Sequence, residues 1–133
     1  MKLTRITKRA KGMTLLELTV VILVLLSLIS ILFVGARAWK KGSDRAANVM
    51  NIRNVQQAVR SYQNMNNVSE GSSVGTDDAG PIFGPGDFLE NAPTHPVAGA
   101  AYDFTGDIPA IGTLFMTGDA ADYEPAAGSY KDW

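Results

Sequence analysis

The stretch RAKGMTLLELTVVILVLLSLISILFV, residues 9–34, decides the fold. A basic leader ends at Gly12, and the 22 residues from 13 to 34 carry a single charge, Glu17, five positions past that glycine. As a helix this run would measure about 33 Å at 1.5 Å per residue, which matches a bilayer hydrocarbon core of roughly 30 Å. Leu, Val and Ile dominate it, and no proline interrupts it. A soluble core helix of this length would show a polar face, so the run predicts a membrane-spanning segment.

The flanks predict its orientation. Lys2, Arg5, Lys8, Arg9 and Lys11 precede it without an acid, whereas Arg37, Lys40, Lys41 and Arg45 follow it together with Asp44. The heavier basic side stays in the cytoplasm, which carries the residues after about 37 across the membrane. Beyond the twelve-residue leader, the other 121 residues hold seven basic and thirteen acidic side chains, a formal −6. An acidic surface argues against nucleic-acid binding through a general basic face. Cysteine is absent, so a folded head has no disulfide and depends on its core, its assembly partners or a bound ion.

Glu17 needs a physical reason. A charge at the centre of a membrane helix costs roughly 2.5–3.5 kcal/mol on insertion scales. If the helix starts at Met13, Glu17 lies only about 6 Å along the axis, near the headgroups and the positive end of the helix dipole. One reading is a tolerated first-turn carboxylate. The other is a carboxylate waiting for a cation: cleavage after Gly12 would create an amine on Met13, and the Met13 amine of a neighbouring subunit would pair with Glu17 inside a dry bundle. Such a pair sets stagger because leaving it unpaired is costly.

A different cut is also written in the chain. Ala36-Arg37-Ala38 has the small-residue spacing of a signal-peptidase site, and cleavage there would release a soluble secreted binding domain beginning at Trp39. The apolar run is longer than the 7–15 residues of an ordinary signal, and that reading gives Glu17 no role. A single-span membrane protein that is never cut and never polymerises is the third possibility.

The residues KG-MTLLELTVVILVLLSLI resemble the class III signal of type IV pilins and of the pseudopilins of type II secretion. The resemblance covers about 30 residues and implies cleavage after Gly12 by a prepilin peptidase, N-methylation of Met13, and an assembly role for Glu17. It further implies an inner-membrane assembly platform, membrane lipid around the helix before assembly, and a homopolymer built on the apolar helices. Localisation would then be the bacterial inner membrane with the head outside the cytoplasm, followed by a periplasmic pseudopilus or a surface pilus. The mature chain begins with Met where the family usually has Phe. Many relatives carry a Pro about two-thirds along the apolar run; Val34 stands there in this chain, with Gly35 and Gly42 after it.

From residue 46 to 65, Val49, Ile52, Val55, Val59 and Tyr62 recur at spacings of three and four, predicting an amphipathic continuation of the helix with a sheet against its apolar stripe. Arg45, Arg53 and Arg60 fall elsewhere and are expected on a solvated face. The Asn-, Ser-, Gly- and Pro-rich residues 64–86 read as a long surface loop. DFLENAP, residues 87–93, suggests a short helical turn. Residues 97–119 contain two TGD breaks, each preceded by a β-prone run, and predict a small antiparallel hairpin or meander with Pro109 at a strand start or edge. PTHPVAGAAY, residues 93–102, is similar to a turn that opens the first strand in some pilin-like proteins, with His95 where those have Cys.

The expected fold is therefore α+β, a type IV pilin-like lollipop. Residues 1–12 are the leader, 13–36 the membrane or filament-core helix, 37–66 its amphipathic continuation, and 67–133 the loop and small antiparallel sheet of the head. Catalysis is not expected: His95 is the only histidine, and no nucleophile elbow, phosphate-cradling glycine loop or HExxH motif occurs. No cofactor is expected. Asp119, Asp122 and Glu124 most simply form a solvated acidic surface. Calcium, which takes six to eight oxygen ligands, is the alternative for those three, as the resemblance to major pseudopilins suggests.

Overall fold

A computed structural model of the chain describes residues 12, 14–75 and 80–133. The chain divides into two compact units between Ala38 and Trp39. Helix α1 (Leu15–Asn66) is followed by strands β1 (Tyr102–Phe104) and β2 (Met116–Gly118) and a 3-10 turn (Ala121–Tyr123).

The first proline of the sequence is Pro81, so nothing in residues 15–66 removes a helical donor. In the first unit α1 has an 18-residue window of mean hydropathy 3.0, none of it buried. Its hydroxyls are silenced by the helix itself: Thr19 donates to the Leu15 carbonyl at 2.6 Å, Ser27 to Val24 at 2.7 Å and Ser30 to Leu26 at 2.8 Å. Such back-bonding lets Ser and Thr enter hydrocarbon without an unsatisfied donor. Gly35 and Gly42 are both helical, with open space where a Cβ would project.

In the second unit, α1 buries Ile52, Val55, Ala58 and Val59 against Val74, Ile82, Phe83, Ile108, Phe115 and Met116. The expected amphipathic stripe is thus the core face, with Tyr62 half-buried at its end and Val49 at its start. β1 and β2 pair antiparallel in the register Tyr102–Gly118, Asp103–Thr117 and Phe104–Met116. Phe104 carries the aromatic layer, 5.5 Å from Phe83 and 5.9 Å from Phe115 between ring centroids.

A two-stranded ribbon is at best marginally stable alone. Here a helix side chain supplies part of what a third strand would. The buried Gln56 donates from Nε2 to the Thr113 carbonyl at 3.0 Å and accepts the Phe115 N–H on Oε1 at 2.9 Å. One side-chain amide therefore satisfies both a backbone donor and a backbone acceptor at the approach to β2. Residues 71–75 add further pairing, with Val74 N–H on Gly106 O at 2.8 Å and Ile108 N–H on Ser72 O at 2.9 Å.

Four expectations change. The segment 64–86 is not merely a surface loop: α1 ends at Asn66, Asn67 takes φ 51° as its cap, and Val74, Ile82 and Phe83 return to the core. DFLENAP forms no helical turn, because Leu89 is held extended by a parallel bridge to Phe83. The second TGD does not lie beyond a strand, since Thr117 and Gly118 belong to β2, and Pro109 sits buried in a loop outside both strands. Arg60 leaves the solvated face: its guanidinium donates to the carbonyls of Pro109 at 2.7 Å and Trp133 at 3.2 Å. Arg53 lies 5.5 Å over the Trp133 ring. The tail is thereby pinned to the helix.

Gln56→Leu keeps the volume but strands the Phe115 N–H and Thr113 C=O, so it is expected to lower head stability by about 1–3 kcal/mol per stranded group. Gln57→Leu, one position round on the exposed side, should stay within about 0.5 kcal/mol. Urea unfolding of the full chain in detergent, followed by near-UV circular dichroism, compares the two.

Candidate functional site

The beginning of α1 holds the residues singled out by the sequence. Gly12 is exposed, and Met13 lies outside the described residues, as does the rest of the leader. Glu17 sits in the first helical turn. The Thr14 N–H donates to Glu17 Oε2 at 3.1 Å, and the Glu17 N–H donates to Thr14 Oγ1 at 3.3 Å. This is a reciprocal capping box, which satisfies two of the donors that every helix start leaves open. Its sequence signal is Thr14-Leu15-Leu16-Glu17, the S/T-x-x-E pattern just before an apolar run. Glu17 therefore has a local role that needs no second subunit. The box also holds the carboxylate at the helix start beside Thr14.

Below this cap the helix surface is apolar on every side. From Leu15 at 86% to Ile29 at 47% exposed, none of its large hydrophobic residues is covered by the rest of the chain. Water is an unfavourable neighbour for such a surface, at roughly 25 cal/mol per Å². Lipid or other apolar helices are the environments that match it.

The three carboxylates considered for calcium have separate partners. Asp119 Oδ1 accepts the Ala101 N–H at 3.0 Å, Asp122 Oδ2 accepts Lys41 Nζ at 3.0 Å, and Glu124 Oε1 accepts the Gly118 N–H at 2.8 Å. Among the described residues no group of three acidic, His or Cys side chains is placed to hold one ion. Asp122 raises the Lys41 pKa through its hydrogen bond and its charge, though an exposed pair of this kind is screened by solvent and adds little stability.

Glu124 belongs instead to a polar network that sequence patterns did not announce. Asn48, fully buried on α1, donates from Nδ2 to the Tyr123 carbonyl at 2.9 Å and to Glu124 Oε1 at 3.2 Å. Its Oδ1 accepts the Tyr102 hydroxyl at 2.7 Å, and that hydroxyl accepts Asn51 Nδ2 at 3.1 Å. The His95 ring packs 4.9 Å from the Tyr102 ring, tilted at 49° to it, and accepts the Val97 N–H on Nδ1 at 3.1 Å. The network closes tightly on Gly118: a Cβ there would fall 2.7 Å from Glu124 Oε1 and 2.9 Å from His95 Nε2, so a larger residue would displace those side chains. The network clamps β1, β2 and the 3-10 turn to the helix; it offers no nucleophile with an adjacent base.

Burial raises the Tyr102 phenol above its usual 10.0; the charge of Glu124 adds to the rise and the Asn51 hydrogen bond opposes it. A raised phenol stabilises the fold fully below pH 10. That contribution is lost as pH climbs through the folded value, because the unfolded chain ionises first. Tyr102→Phe is expected to cost about 1–3 kcal/mol at neutral pH by stranding Asn48 Oδ1. It should also make the loss of stability above pH 10 shallower, as read from urea midpoints on either side of that pH.

Comparison with protein-family models, with curated proteins and with solved structures finds no match for this chain.

Proposed function

We propose that the chain is a structural subunit of a type IV pilus or pseudopilus-like filament, with no catalytic role. The observation that carries this reading is Glu17, five residues past Gly12, at the start of a helix whose apolar N-terminal part, residues 15–34, is uncovered on every side. A prepilin peptidase would cut after Gly12 and the new Met13 amine would be methylated. The subunit would wait in the inner membrane with its head outside the cytoplasm, then leave lipid as its helix enters a bundle of identical helices. Hydrophobic burial supplies the driving force in that step, and Glu17 paired with a neighbour's Met13 amine sets the stagger.

A second reading draws on the boundary between compact units, which falls between Ala38 and Trp39, at the alternative cleavage position. A domain starting at Trp39 would keep every core residue. Mass spectrometry of the N-terminal peptide separates the readings: N-methylated Met13 supports the filament subunit, Trp39 a released binding domain, and Met1 an uncut anchor. Filament material sheared from cells supports a surface pilus, whereas membrane-only material supports a pseudopilus.

The capping box sharpens the test of Glu17. Glutamine also completes the box, so Glu17→Gln keeps the helix start and removes only the charge. If charge pairing sets register, both Glu17→Gln and Glu17→Ala should insert, be cleaved and fail to assemble. Normal filament yield from Glu17→Gln would reduce Glu17 to a helix cap.

A further inference from the structure

The charges of the second unit are segregated along the sequence. Residues 39–66 carry five basic side chains and one acid, whereas residues 67–133 carry one basic side chain and eleven acids. Intramolecular pairing uses little of this. Among the described residues, the ion pairs are Lys40 with Asp44 and Lys41 with Asp122, and Arg60 is engaged by carbonyls. Arg45 and Arg53 are exposed and form no ion pair there, although Arg53 lies over the Trp133 ring and shares a recess with Asp132.

Exposed apolar side chains are equally uneven. Among the described residues from Trp39 onward, the large hydrophobic side chains left exposed are Trp39, Met50, Met65 and Ile111. Met50, 65% exposed, lies with Ala46 and Val49 in a groove of about 560 Å³ along α1, and Arg45 and Arg53 line the same groove. Ile111, 71% exposed, stands at a turn made by Gly112 at φ 85° and closed by the Thr113 N–H on Ala110 O at 3.0 Å. Glu70 and Asp132 line a depression together with Ile111, beside Gln63 and Asn64, with Trp133 and the carbonyl-engaged Arg60 at its inner side. One patch is thus an apolar recess edged by guanidinium groups, and the other an apolar knob edged by carboxylates.

We propose that these two patches bind each other between copies of the chain, the Ile111 knob of one copy seating over Met50 of the next, with Glu70 and Asp132 facing Arg45 and Arg53. The proposal rests on the filament reading and names a contact of the head within it. The patches border each other at Arg53, Asp132 and Trp133 but are centred on different residues, so the contact is heterologous and leaves a vacant knob and a vacant groove at the ends of any chain of subunits. Such a contact grows into an open assembly unless its rotation closes a ring. The groove is centred near residue 50 of α1 and the knob lies beside residues 63 and 64, so the bound copies are displaced by about 20 Å along the helix direction. Charge complementarity of this kind selects partner and register more than it adds affinity.

The absence of cysteine makes the test clean. The full chain carrying Met50→Cys and Ile111→Cys is treated in membranes and in sheared material with a short bismaleimide. A ladder of cross-linked dimers and higher species is expected, with at least about tenfold more product than from either single variant or from a Met50→Cys, Met65→Cys pair. Adding Arg45→Glu, at an exposed position, should cut the ladder about tenfold, and adding Glu70→Lys to that variant should restore it. Cross-linking no greater than in the single variants overturns the contact, and does so without touching the filament reading if the N-terminus is methylated Met13 and filaments are present. A ladder from a chain whose N-terminus is Met1 upholds the contact while removing the filament reading.

Discussion

The second unit depends on α1 acting as the missing layer of a sheet that is too small to stand alone. Two strands of three residues bury little by themselves. Ile52, Val55 and Val59 give them an apolar floor, while Gln56 and Asn48 reach from the same helix face to the backbone at Thr113, Phe115 and Tyr123. Buried amides are costly when unpaired and directional when paired. They place the ribbon in one register along the stripe, where apolar contact alone would allow sliding.

The same helix serves an opposite purpose in the first unit. There no side chain is covered among the described residues, and the hydroxyls of Thr19, Ser27 and Ser30 are bonded back to the helix's own carbonyls while Thr14 and Glu17 close the capping box. The surface is finished for an apolar medium and unfinished for water. In the filament proposed, Glu17 would have two tasks, closing the helix start within its own subunit and meeting an amine from another. A carboxylate has two oxygens and several lone-pair directions, so the tasks are chemically compatible.

Much of this was legible because it is local. A run of apolar residues without proline specifies a membrane-length helix through composition alone, and the three-and-four spacing from Val49 to Tyr62 specifies its buried face. The antiparallel hairpin between residues 97 and 119 was legible for the same reason. Composition misled where a polar stretch hid a few decisive residues. Residues 64–86 are rich in turn formers, yet Val74, Ile82 and Phe83 among them fill the core, because a small head must recruit apolar side chains from wherever its chain passes. Arg60 misled through its charge: its long stem lets the guanidinium reach inward to two carbonyls.

The sequence by itself determined the helix, its apolar and amphipathic parts, the Gly12 and Glu17 spacing and the acidic balance of the rest, since each depends on neighbours a few residues apart. Only the tertiary structure decided the role of Asn48, the close approach of Glu124 and His95 to Gly118 and the separate partners of Asp119, Asp122 and Glu124. It also decided the placement of Ile111 beside Glu70 and Asp132. Those contacts join residues that lie up to 81 positions apart. No periodicity records such meetings, because they follow from where each loop closes on the helix and from the pairing of buried backbone and amide groups there.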